Sequence, residues 1–241
     1  MRWLRVAAIL PAVPRRTPLK TCRSVLALTA SLVAVSCGSN QGAAPSGNAS
    51  PSFFVSSTRN STGNLGGLRG ADAVCQNLAA AAGFGNWTWR AYLSVGKDAD
   101  NNNQPADARS RIGNGPWFNA KGALVARDLA DLHARKGDAT VFIDERGQPI
   151  PGQWTGSPTP VEHDILTGST SDGRLMPGMT CSDWTSDATS AQAQVGHSDG
   201  LGPGGDQSGT LSSWSSAHAN LNCANTAPRG GAGRLYCFAK K

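Results

Sequence analysis

From residue 53 onward, short apolar runs alternate with polar loops rich in Gly, Ser, Thr and Asn. FFVSS (53–57) predicts a first strand. Beyond the glycine loop Gly63–Gly70, the apolar positions Ala71, Val74, Cys75, Leu78, Ala79 and Ala82 recur at spacings of three and four. That is one face of an amphipathic helix of about three turns, with Cys75 directed into the core. Asp72, read as lying in the first turn, complements the helix dipole, and Gly83 supplies a left-handed stop. WRAYLSV (89–95) predicts a strand with Trp89, Ala91 and Leu93 on one face, and RLYCF (234–238) a last strand with Leu235 and Cys237 on one face. Between them, hairpins are expected to turn at Ala120–Gly122 and Glu145–Gly147, with a short helix over Arg127–Ala134.

The segment before residue 53 follows neither period. Arg2, Arg5, Arg15, Arg16, Lys20 and Arg23 form a leader without acidic residues, followed by the apolar run VLALTASLVAVS, too short to span a bilayer comfortably. Ala34, Val35 and Ser36 then precede Cys37, small residues similar to the lipobox of bacterial lipoproteins. Residues 1–36 therefore read as a lipoprotein signal peptide and Cys37 as the acylated N-terminus; an ordinary secretory signal is the alternative. Cys22 fits less well because Lys20 lies inside its would-be lipobox. Residues 37–52 have the composition of a flexible tether, leaving residues 53–241 as one domain. Gly38 after the lipidated cysteine resembles the enterobacterial pattern for transit to the outer membrane.

This division changes the meaning of the charge. The formal charge of +6 is carried by the leader, and beyond Cys37 there are 16 basic against 16 acidic residues. A neutral domain has no basic field to steer nucleic acid or other polyanions.

In an exported domain, Cys75, Cys181, Cys223 and Cys237 read as two disulfides, for which spacing leaves all three pairings open. No C-x-x-C suggests a zinc knuckle, and the glycine loop lacks the pattern of a phosphate loop.

FFVSSTRNSTGNLGGLRGADAVCQNLAAAAGFGNWTWRAYLS resembles the opening of endostatin, the C-terminal domain of collagens XV and XVIII. TGSTSDGRLMPGMTCSDWTSDATSAQAQVG and the terminal RLYCF are similar to later stretches of the same family. As an exported lipoprotein, the chain resembles endostatin-like bacterial surface lipoproteins. The resemblance covers residues 53–95 and 166–238 and is weak over 96–165. It implies an α+β, C-type-lectin-like domain with nested disulfides, Cys75–Cys237 and Cys181–Cys223. Family ligands carry over poorly. Gln104-Pro105-Ala106 breaks the sugar-binding tripeptide of calcium-dependent lectins, and no histidine precedes His133 to supply endostatin's N-terminal zinc ligands. Of the heparin-binding arginines Arg69 has a counterpart, whereas others fall on Gly66 and Thr185, so heparin binding is not expected.

Candidate sites are few. Asp98, Asp100, Asn102 and Asp107 are hard oxygen donors that make a weak calcium site, without the glycine and glutamate of an EF-hand. Most tryptophans, Trp184 and Trp154 above all, should be core, which leaves Trp87 and Trp117 with Arg69 as a candidate ligand surface. His133, His163, His197 and His218 show no close ligand pair. The leading reading is a non-enzymatic, lipid-anchored binding module for an extracellular protein or glycan. A structural envelope lipoprotein is second. A secreted hydrolase is last, since no carboxylate pair or cysteine–histidine arrangement stands out.

Overall fold

In the computed structural model, which describes residues 49–241, the chain enters through β1 (Phe53–Val55), turns into α1 (Gly67–Ala81) and returns along β2 (Thr88–Ala91). Two small hairpins follow: β3 (Val95–Asp98) with β4 (Gln104–Ala106), and β5 (Trp117–Phe118) with β6 (Leu124–Ala126). Two short helices, α2 (Ala108–Arg111) and α3 (Leu129–Ala134), flank the second hairpin. The remaining strands are β7 (Asp164–Leu166), β8 (Gln194–His197), β9 (His218–Ala219) and β10 (Gly231–Lys240). The main sheet runs β1-β10-β7-β8-β9, and β2 also pairs with β10. All its pairings are antiparallel except β10 with β7.

Strand β10 is buried from Gly231 to Ala239. Alternation sends Leu235, Cys237 and Ala239 into a cluster under α1, with Phe54, Trp89 and Leu166. Tyr236 and Phe238 point the other way, into a second cluster with Phe53, Trp117, Phe142 and Trp214. The weakly patterned middle of the chain supplies much of this second layer. A sheet buried on both faces explains why GAGRLYCFA shows no polar alternation.

Helix α1 begins earlier than its apolar periodicity suggests, because Gly66 and Gly67 turn the chain with φ of 74° and 70°. No acidic residue therefore lies in its first turn, and Asp72 does not serve the dipole. It is instead a buried hub that accepts from the Ala91 N–H at 2.8 Å and from Arg90 and Arg111 at 2.7 Å each. The helix ends as expected. Gly83, at φ 88°, donates to the Ala80 carbonyl and Phe84 donates to that of Ala79, the paired bonds of a Schellman motif.

The strand expected over 89–95 divides into β2 and β3. Trp89, Ala91, Leu93 and Val95 share the first cluster and Tyr92 points into the second, so the expected alternation runs on through the break between the two strands. The hairpin around Gly122 forms, whereas 141–150 closes by a single bridge, Ile143 with Pro149. There the buried Asp144 carboxylate takes up the Arg146 and Gln148 N–H groups.

The disulfides are Cys75–Cys237 and Cys181–Cys223. The first ties α1 to β10 and the second fastens the turn at Cys181 to the chain between β9 and β10. Gly63 packs so closely on Cys181 Sγ that a Cβ there would collide with it. The bridged residues are separated by 162 and 42 positions. In the chain-entropy model their loss costs about 5 and about 4 kcal/mol respectively. Urea unfolding should accordingly rank Cys75→Ala/Cys237→Ala below Cys181→Ala/Cys223→Ala in stability. The reverse order would mean that native strain or residual denatured structure, rather than loop entropy, sets the difference.

Candidate functional site

The densest cluster of chemically able side chains lies at the β7-β8-β9 end of the sheet. His163 immediately precedes β7, Asp164 opens it, and Asp164 pairs directly with His197 of β8. His218 comes from β9, opposite Val195. The Nε2 atoms of His163 and His197 each lie 3.3 Å from Asp164 Oδ1, and that of His218 lies 3.5 Å from Oδ2. Donor atoms of His163, Asp164 and His197 all fall within 4.8 Å of one another. The rings of His163 and His197 are stacked, with centroids 4.3 Å apart, and His218 meets His197 edge-on at 4.9 Å. The His163, Asp164 and His197 side chains are almost wholly buried, while that of His218 is 29% exposed.

Each ring is held by its other nitrogen. His163 donates from Nδ1 to Asp199 Oδ1 at 2.7 Å, and His197 and His218 donate to the carbonyls of Leu211 and Ala219, both at 2.9 Å. Burial pushes the Asp199 carboxyl up. The hydrogen bond from His163, with those from the N–H groups of Gln153 and Leu201, outweighs this and holds it below the usual carboxylate range. Both Asp164 oxygens and His197 Nε2 are buried without a hydrogen-bond partner. Buried polar atoms of this kind are uncommon in a native fold.

Three of the four histidines thus converge, although the sequence shows no close ligand pair among them. No local spacing announces this, because the cluster is assembled by pairing between three strands. Gly196-His197-Ser198-Asp199-Gly200 also has G-x-S-x-G spacing. It does not form a nucleophile elbow: β8 is not followed by a helix, Ser198 is buried, and no hydrogen bond joins Ser198 to a histidine ring among the described residues.

The oxygen donors proposed for calcium are not brought together around a shared centre. Asp100 receives Arg69 in a bidentate pair, Asp107 accepts the Leu175 N–H and faces Arg174, and Asp98 accepts from the Asp100 N–H. Asn102 lies at the exposed tip of the β3–β4 hairpin with φ 52°. Trp117 is not a surface residue. It is fully buried with its ring edge-on to Phe238, because the β5–β6 hairpin closes the second core. Trp87 is 42% exposed. Trp184 is core and Trp154 half-buried. Cys37 lies outside the described residues.

Arg69 borders a groove with Gly66, Gly67, Lys97, Asp98 and Asp183, next to a second groove that contains Asp72, Arg90 and Arg111. Every guanidinium along these grooves is matched by a carboxylate: Arg69 by Asp100, and Arg90 and Arg111 by Asp72. Arg69 also holds the Asp100 carboxyl below its ordinary range through their hydrogen bond.

No protein-family model matches the chain, and no curated protein matches it. Among the described residues no helix is long and apolar enough to cross a membrane.

Polyanion binding depends on several simultaneous free basic contacts. The protein should pass through a heparin column at near-physiological salt. Retention that is lost in Arg69→Ala would show that the Arg69–Asp100 pair opens to expose a basic surface.

Proposed function

We propose that the protein is a lipid-anchored extracytoplasmic binding module with an endostatin-like, C-type-lectin-like domain, contacting a protein or glycan at the cell surface. An α+β domain with first-to-fourth and second-to-third disulfides supports the fold part of this reading. The observation that carries the binding part is the exposure of Trp87, when Trp89, Trp117, Trp184 and Trp214 are no more than 1% exposed. The Lys241 ammonium lies 5.4 Å from the Trp87 ring centroid and 5.9 Å from that of Phe118. Leu124, 39% exposed, pairs with Phe118 across the hairpin. Exposed aromatic and aliphatic groups beside one cation suit a macromolecular contact, since Trp buries a large area on binding with little loss of side-chain freedom.

Probing an array of extracellular-matrix and plasma proteins and glycans with the purified protein tests this reading. For any partner found, Trp87→Ala should weaken binding about thirtyfold, the ~2 kcal/mol of a hot spot, with Tm unchanged because the ring is not core. No partner on the array, together with an envelope defect in the deletion strain, would favour the structural lipoprotein instead.

The anchor is tested separately. Cells grown with an acyl-chain analogue should label the protein, and Cys37→Ala should lose the label. Unchanged labelling in that variant would remove the anchor from the reading.

A further inference from the structure

We propose that His163, Asp164, His197 and His218 bind one zinc ion, which fastens the β7-β8-β9 edge of the sheet. Backbone carbonyls accept hydrogen bonds and cannot donate them, so His197 and His218 carry a proton on Nδ1, facing Leu211 and Ala219. His163 likewise places its Nδ1 proton against the Asp199 carboxylate. In a neutral ring the other nitrogen, Nε2, then presents a lone pair. The three Nε2 atoms face the Asp164 carboxyl at 3.3–3.5 Å, and both Asp164 oxygens and His197 Nε2 are buried without a hydrogen-bond partner. A divalent cation between them supplies the partner that these buried atoms lack.

The geometry selects the ion. Tetrahedral zinc with ligands at about 2.0–2.1 Å sets neighbouring donors about 3.3–3.4 Å apart. The Nε2 atoms of His163 and His197 stand at 3.3 Å from Asp164 Oδ1. Three imidazoles and one carboxylate suit zinc, whereas calcium and magnesium take oxygen donors. The His163–Asp199 hydrogen bond has the form of the carboxylate–histidine–zinc relay that orients zinc ligands. His163, Asp164 and His197 bring three donors within 4.8 Å of one another, and His218, 3.5 Å from the other Asp164 oxygen, would add the fourth that a closed, structural site requires. The ion would hold β9, a strand of two residues at the sheet edge, through His218. This site is independent of the N-terminal histidines that bind zinc in endostatin.

The test uses purified protein stripped with a chelator and titrated with zinc against a chromophoric competitor. One zinc should bind per chain and raise Tm, and cobalt should give the intense visible bands of a tetrahedral site. His218→Ala removes the half-exposed ligand and leaves both disulfides and β10 in place, so circular dichroism should remain native while affinity falls. Asp199→Asn should lower affinity about 10–100-fold, as for other outer-sphere partners of zinc-bound histidine. Folded wild-type protein that takes up no zinc would overturn the proposal. So would stoichiometric zinc whose affinity is the same in His218→Ala and Asp199→Asn.

Discussion

Strand β10 must be covered on both faces and paired along its length, and the rest of the domain is arranged to meet that demand. Its backbone is shared among β1, β2 and β7, and its alternating side chains feed two separate clusters. Apolar burial on this scale is the main favourable term in folding, and here it is divided by a single sheet. Arg234, the charged residue within the buried run, is neutralised by Glu162 and donates to the carbonyls of Ser56 and Ser57. Cys237 links the strand covalently to α1 at the point where Phe54 and Ala91 flank it on neighbouring strands.

The turn at Cys181 shows what the second disulfide restrains. Cys181, Ser182, Asp183 and Trp184 have φ of 46°, 52°, 55° and 65°, a left-handed turn of four residues that are not glycine. Each such residue is disfavoured by roughly 1–2 kcal/mol. The disulfide holds one end, and the Trp184 indole donates to the Ser94 carbonyl from the other. Between them the Asp183 carboxylate accepts from the Gly96 and Lys97 N–H groups. The strain is thus confined by bonds that also build one wall of the groove beside Arg69.

Much of the fold was legible because it is written in local periods. The three-four spacing of Ala71, Cys75 and Leu78 gives the inward face of α1, and Gly83 marks its end. The last strand was legible on one face only. Leu235 and Cys237 read as core, but the partner layer for Tyr236 and Phe238 comes from residues 117–142 and Trp214, which carry little pattern. Asp72 was misplaced because Gly66 and Gly67, whose missing side chains let the helix start early, leave no trace in hydrophobic spacing. The histidine cluster was not legible at all. Its residues sit at positions whose neighbours are set by the registers Asp164–His197 and Val195–His218, and register between distant strands is a tertiary property.

The placement of β10 has a consequence for the order of events during synthesis. Neither core cluster can close, and Cys75 lacks the partner it has in the fold, until residues 231–240 have emerged. Pairing between residues 53 and 238 also makes the contact order high, which slows collapse to the native topology. A chain built this way stays threadable while it is being made. Whatever route the chain takes, this topology withholds the fold until its last strand is available.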